Sequence, residues 1–426
     1  MIAAVIFSVL IGLQPEVPDS LTLEYCYDRI ENHYPLAQKA KLQNKITELN
    51  QRIAGRAAYP QVDVGATATY QSEVTDLPFP SGGQFSPPNL SKNQYKLTMD
   101  VSQTIYNGEA VSIRKRLEGL KGIQEKQSIE IQLHDLKEQL NQVYFGILLA
   151  QKQLQTVETL SESLRSQIEE VQSKVRNGVL LPSQQYILEA ELIKTRQDSS
   201  EIQANIQSGY KVLGQLIGQE ITTSTELTSP SHDFQFSKSF EALRPEFQLF
   251  ETNRRALDLQ QELAQSQKTP SLSAFGTAAY GRPGFNVFEN DLHPYYIVGL
   301  KVQWNLWGAQ NAGTQQQIYD LQQQKIGQEE RAFERQLKGS LGKVQERIES
   351  LEDQITRDKE IIDLRKKVVA EKSSQLKNGT VTATEYVTEL HKATQARLAM
   401  LLRKTNLAQA QAEYNIILGR TNNGNK

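Results

Sequence analysis

Five histidines (His33, His134, His232, His293 and His391) and one cysteine, Cys26, are the side chains of this sequence best suited to metal binding or nucleophilic chemistry. The histidines are scattered without ligand spacing, and a single cysteine can form neither an intrachain disulfide nor a thiolate cage. There is no phosphate-cradling glycine loop and no nucleophile elbow. Acids on the helical stretches lie among Lys and Arg at helical spacing, which describes solvated faces better than paired catalytic carboxylates. No enzyme chemistry, no cofactor and no metal site is expected. The formal net charge is -2, and its cations are interspersed with acids, so no basic stripe for nucleic acid is expected either.

With catalysis set aside, the question becomes what shape the chain builds. Its 426 residues would suffice for two or three ordinary domains, yet only 38% are hydrophobic and the mean hydropathy is -0.51. That is low for thick cores and suits a thin, largely helical body. Ile2 to Leu13 is an apolar run too short to span a bilayer as a helix and about as long as a signal-peptide core. It sets residues 1–18 as an export segment, although no Lys or Arg precedes it and no small-x-small site follows; a buried segment is the alternative. The residues before Cys26, Leu23-Glu24-Tyr25, are too bulky and charged for a lipid-anchor site.

The chain repeats itself. Tyr59-Pro60 followed by Val62, Val64, Ala66, Ala68 and Tyr70 recurs as Thr269-Pro270 followed by Leu272, Ala274, Gly276, Ala278 and Tyr280. Val101 to Tyr106 recurs as Val302 to Trp307, Arg176-Asn177-Gly178 as Lys377-Asn378-Gly379, and Leu216-Ile217-Gly218 as Ile417-Leu418-Gly419. This gives a first structural repeat over 21–220, a linker over 221–240, a second repeat over 241–419 and a polar tail over 420–426. Each repeat reads as helix, two short strands, a very long helix, a turn and a returning helix.

Ile129, Leu133, Leu136, Leu140, Val143 and Ile147 step by fours and threes, and no proline interrupts Glu109 to Arg176. That is a coiled-coil seam on a helix of about 100 Å. Ala309 to Leu376 is the matching stretch, and returning helices follow over roughly Gln184 to Leu216 and Tyr386 to Leu418.

Four strands are expected at about 60–71, 94–106, 270–281 and 294–306. Val62, Val64, Ala66, Ala68 and Tyr70 share one face, and Gln61, Asp63, Thr67 and Thr69 the other; Tyr296, Val298, Leu300, Val302 and Trp304 oppose Lys301 and Gln303. Runs of about ten residues with aromatics at their ends match a tilted transmembrane strand, though an ordinary half-buried sheet alternates in the same way. The connecting segments Ser72 to Asn93 and Gly281 to Pro294 are long and rich in Pro and Gly, as outer-face loops would be. Four strands cannot close a barrel, and an open edge in lipid leaves backbone groups unpaired at several kcal/mol each. A transmembrane reading therefore requires copies of the chain to share one barrel. The competing reading is a soluble coiled-coil scaffold or tether with a small capping sheet.

In this order of elements the chain resembles the TolC family of outer-membrane efflux and type I secretion channels, from Leu21 to Gly419. The marks are the duplicated layout, the strand openings Tyr59-Pro60 and Thr269-Pro270, Ile105-Tyr106-Asn107-Gly108 with Leu306-Trp307-Gly308, and the turns at Gly178 and Gly379. The resemblance implies a mainly α fold with β, in which long coiled-coil hairpins join four transmembrane strands of a trimeric, 12-stranded barrel. It implies a homotrimer in the cell outer membrane, in contact with its lipid and reaching into the periplasm. It also implies a passive conduit that works with a periplasmic adaptor (membrane fusion) protein and an inner-membrane pump.

The resemblance further assigns adaptor contact to the two tips, Gly178, Val179, Leu180, Leu181 and Ser183 in one and Gly379, Thr380, Val381 and Thr384 in the other. It assigns the gate to Gln184, Glu385 and Thr388. Where the family places an acid, this chain has Gln184; where it places a Tyr, an Arg and a second acid, it has Leu376, Val381 and Thr388. The resting closure is therefore expected to depend on packing and neutral hydrogen bonds.

Overall fold

In a computed structural model of the chain, the residues described are 20–74, 91–230, 234–237, 243–286, 289–306 and 308–420, without the side chains of 308–312. The expected export segment, much of the first strand-to-strand loop and the polar tail after 420 lie outside them.

The elements run β1 (Ser20–Leu21), α1 (Leu23–His33), α2 (Pro35–Arg56), β2 (Gln61–Tyr70), β3 (Asn93–Tyr106), α3 (Ala110–Arg176), α4 (Pro182–Ile217), β4 (Glu226–Leu227), α5 (Pro245–Ser266), β5 (Ser271–Arg282), β6 (His293–Gln303), α6 (Gly308–Lys377) and α7 (Ala383–Ile417). Contacts divide the chain into two compact units. One draws on residues up to 39, 129–245 and from 332 onward; the other draws on 40–128 and 246–331. The compact units therefore do not follow the sequence repeats, because each takes matching pieces from both.

In the first unit, the buried core includes Leu21, Ile30, Leu140, Tyr144, Phe145, Leu213 and Ile217. Thr22 caps α1, its Oγ1 accepting from Tyr25 N at 3.2 Å. The two-residue strands β1 and β4 pair in parallel. The Tyr144 hydroxyl reaches the carbonyls of Leu21 (2.8 Å) and Thr228 (2.6 Å) beside that pair, so one aromatic side chain ties α3 to both strands at one end of the ladder. Cys26 is fully buried here.

In the second unit, β2, β3, β5 and β6 form an antiparallel sheet in that order. The register runs from Gln61↔Ser102 to Tyr70↔Asn93, from Tyr95↔Arg282 to Tyr106↔Leu272 with a bulge at Thr104/Tyr106, and from Ser271↔Gln303 to Gly281↔His293. β6 stops at Gln303; the Trp304 indole N–H instead donates to Lys268 O at 3.0 Å.

The helices of this unit take the same lateral order. α2 lies close against α3 because Gly122 has no side chain: a Cβ there would sit 2.0 Å from Thr47 Oγ1. α3 meets α5 through Ile113, Leu117 and Leu259 and through Gln124 Nε2, which donates to Asn253 Oδ1 at 2.7 Å. α5 meets α6 through Gln323 Nε2, which donates to Asp258 Oδ1 at 2.8 Å, and through the Arg254–Glu330 ion pair.

Candidate functional site

The sheet has two chemically distinct faces, and the register decides which residues share them. Because side chains alternate, Val62, Val101, Gly276 and Val298 stand in one row, and Val64, Met99, Ala278 and Tyr296 in the next. This face is apolar across all four strands and open to solvent: Val64, Tyr70, Tyr296, Val298, Leu300 and Val302 are each more than two-thirds exposed. A contiguous exposed apolar face of this kind marks a surface that meets another protein or lipid.

The opposite face carries Asp63, Thr67, Lys96, Thr98, Asp100, Thr277 and Lys301. Thr277 Oγ1 donates to Asp100 Oδ1 on that side. Among the described residues, β2 and β6 are each paired on one side alone. The helix layer ends in the same manner. Leu42, Ile46, Leu49 and Ile53 form an exposed seam along α2 that steps by 4, 3 and 4, the spacing of a coiled-coil contact, and Ile318 and Leu321, three apart, form a shorter exposed apolar pair on α6.

The two tips belong to the first unit and are built alike. At the end of α3, Gly178 takes φ 73°, Val179 N donates to Lys174 O at 2.9 Å and Gly178 N to Val175 O at 3.0 Å. At the end of α6, Gly379 takes φ 70°, Thr380 N donates to Gln375 O and Gly379 N to Leu376 O, both at 3.0 Å. These are matching left-handed helix endings, which a glycine adopts without a Cβ penalty.

Beneath the turns, Leu164, Val171, Leu188, Leu376, Ala383, Tyr386 and Leu390 form one core. Leu180 and Val381 pack against it half-buried. Val179 and Leu181 point outward, 62% and 69% exposed. Gly178, Ser183, Gly379, Thr380, Thr384, Glu385 and Thr388 are also exposed. The sequence therefore groups Leu180 and Val381 with outward tip residues that they do not join.

The tips also grip each other through residues that spacing did not reveal. Lys174 Nζ donates to Lys377 O, Lys377 Nζ pairs with Glu170 at 2.9 Å, and the Leu180 side chain covers Gly379. Gln184 is half-buried, and its Oε1 accepts from Ala383 N. Glu385 sits three residues past Thr382, whose Oγ1 accepts from Glu385 N at 3.3 Å. Thr388 Oγ1 turns back to Thr384 O at 2.8 Å. One turn further along α7, the Glu389 carboxyl is held below the usual carboxylate range by its hydrogen bond to Lys392 and by the charges of Lys392 and Arg365.

Among the described residues, no group of three or more His, Cys, Asp or Glu is placed to hold a metal, and no helix is long and apolar enough to cross a membrane.

No family model and no curated protein matches the chain by sequence. Solved structures do match it over nearly its whole length. The chain superposes on the transmembrane channel protein CusC with a TM-score of 0.71 and 14% identity, covering 94% of this chain and 92% of that one. Against the outer membrane protein VceC of Vibrio cholerae the TM-score is 0.69 at 13% identity, over 93% and 96%. Against the open state of the MtrE outer membrane channel of Neisseria gonorrhoeae it is 0.66 at 14%, over 93% and 89%.

The chain has the outer-membrane channel fold.

At such low identity the agreement resides in backbone layout, the TolC-like duplicated arrangement. In this channel fold, the apolar sheet face and the tips described above are this chain's own side chains on a shared frame.

Proposed function

We propose that the chain is one of three identical subunits of a passive exit duct in the outer membrane, the terminal component of a tripartite efflux or type I secretion system. The observation that carries this reading is the common order of sheet and helix layer, each ending in an unsatisfied member. β2 and β6 offer free ladder edges, while α2 offers an exposed apolar seam and α6 an exposed apolar pair. One neighbouring copy on each side would satisfy edge and seam together, and repetition of a single such contact closes a ring. Three copies would bring twelve strands, and closure would remove the edges that lipid does not tolerate. The apolar face would then meet lipid and the face with Asp63, Asp100 and Lys301 would line the lumen.

The tips would meet a periplasmic adaptor that couples the duct to an inner-membrane pump. Exposed Val179 and Leu181 support this for the first tip, and the polar surface of Thr380 and Thr384 gives the second a different character.

The reading is tested by urea-washing membranes and running unboiled gels. The protein should stay with the outer membrane and migrate as a trimer. Ile46→Asp, in the middle of the α2 seam, should abolish the trimer band. A protein released by urea, or one whose oligomer ignores Ile46→Asp, would sink the reading. For the tips, cysteines at the exposed positions Val179 and Thr380 should crosslink to the cognate adaptor, and equal crosslinking from mid-helix Gln153 would count against tip docking.

A further inference from the structure

We propose that Arg282, at the end of the sheet remote from the helices, binds the phosphate of an anionic lipid headgroup where the strands leave the bilayer. The proposal rests on the membrane reading above.

The register fixes which way Arg282 faces. It stands opposite Tyr95, which stands opposite Ala68, so it shares the apolar face with Val62, Val64 and Val298. The other charged strand residues, Asp63, Lys96, Asp100 and Lys301, lie on the opposite face. Among the described residues, Arg282 is thus the one Asp, Glu, Lys or Arg that the strands place on the apolar side.

A cation in the middle of a lipid-facing band is costly, and near the headgroups that cost almost vanishes. β5 has 12 residues, which at a rise of about 3.4 Å each and a tilt of about 40° climb about 28 Å, against an apolar band about 25 Å tall. With the Ser271 end at one boundary, Arg282 reaches the other. Tyrosines mark the same level: Tyr280, Tyr95 and Tyr70 occupy the row of Arg282 and the rows on either side of it, and all three are exposed. Such rings settle where an apolar body and a wet hydroxyl are both satisfied.

The side chain has donors to spare. Arg282 Cζ lies over the Tyr95 ring, 5.6 Å from its centroid, and Nη2 donates to Asn93 O at 3.2 Å. Nε is enclosed and has no hydrogen-bond partner. A guanidinium carries five N–H donors, so the protein supplies fewer acceptors than the group can use. Among the described residues no carboxylate pairs with it; Glu289 on the adjoining loop lies 3.3 Å from His293 and accepts from Asn286 at 3.1 Å. A phosphate offers the paired oxygens that match the planar fork, while the face of the guanidinium stays on the ring.

Native mass spectrometry tests this on the full-length protein, released from detergent that contains equal parts of phosphatidylglycerol and phosphatidylcholine. The wild type should retain the anionic lipid about fivefold over the zwitterionic one, the effect of one basic residue near an anionic surface. Arg282→Gln should retain the two equally. Arg282→Lys should keep most of the preference because the charge persists, and Lys301→Gln, on the opposite face, should match the wild type. Inorganic phosphate should not displace the lipid; displacement would assign the site to the free ion and overturn the proposal. An unchanged preference in Arg282→Gln, or a loss in Arg282→Lys as complete as in Arg282→Gln, would overturn it too. Equal retention of both lipids by the wild type would remove this proposal alone, whereas retention of neither would remove the membrane reading with it.

Discussion

The backbone N–H of Ala383 donates to Oε1 of Gln184, so a side chain in the first turn of α4 satisfies the first turn of α7. The two residues are 199 positions apart, and the bond is neutral at both ends. It occupies the position where the resemblance expects an acid and an ion pair.

Gln184→Ala should cost about 1 kcal/mol, the worth of one such hydrogen bond, and should raise the frequency of opening in planar bilayers only modestly. Gln184→Glu keeps an acceptor beside a helix N-terminus, where a negative charge is welcome, and should behave like the wild type or better. Because the bond is neutral, the Gln184→Ala effect should change little between low and high salt. A strong salt dependence would show that charge, and not this bond, holds the tips.

Glu385 is exposed and follows the capping residue Thr382 by three, the pattern of a helix-start acid. In an assembled trimer its copies should also impart cation preference at a narrowing. Reversal potentials under a salt gradient should show cation selectivity that falls in Glu385→Gln. Unchanged selectivity would leave Glu385 with its local role at the start of α7 and no part in a charged ring.

Spin labels can separate the two faces of the sheet. Labels at Val62, Val64 and Leu300 should be accessible to oxygen dissolved in lipid, and labels at Asp63, Thr67 and Lys301 to a water-soluble nickel complex. The register pairs Val62 with Val101 and Asp63 with Asp100, so a reversed pattern would mean a slip of one residue and a flip of every side chain.

Burial, with a smaller contribution from Glu24, pushes the Cys26 thiol up to about 12. The folded protein should therefore leave Cys26 unmodified by Ellman's reagent at pH 8, where an exposed thiol reacts readily, and should release one reactive thiol on unfolding. The folded state holds this proton more tightly than the unfolded chain does. The associated stability is complete below the ordinary thiol value of 9.0 and is lost as pH rises toward about 12. Rapid native-state modification at pH 8 would show that α1 opens locally.

The repeat, the long helices and the alternating strands were legible because each is written in periodicity: the fours and threes from Ile129 to Ile147, the twos from Val62 to Tyr70. The left-handed helix endings were legible from Asn177-Gly178 and Asn378-Gly379. The contacts that define the tips were not. Gln184 with Ala383, Lys174 with Lys377 and Leu180 over Gly379 join residues some 200 positions apart, and no local pattern encodes which partner a polar side chain will meet. His134 read as an ordinary isolated histidine for the same reason, since Arg244, whose Nη1 lies 2.7 Å from its Nε2, is 110 positions away. The α2 seam was a missed signal: Leu42, Ile46, Leu49 and Ile53 step by 4, 3 and 4 in the sequence.

A solitary copy of this chain keeps two strands with an open side and two greasy helix flanks. Such edges recruit any extended peptide they meet, including a misaligned sibling. Maturation is thus a race between correct encounter and clumping, and the outcome is set by how many newly made chains are present at once. Folding and assembly form a single concentration-dependent reaction, so overproduction should harm yield before it harms the finished protein.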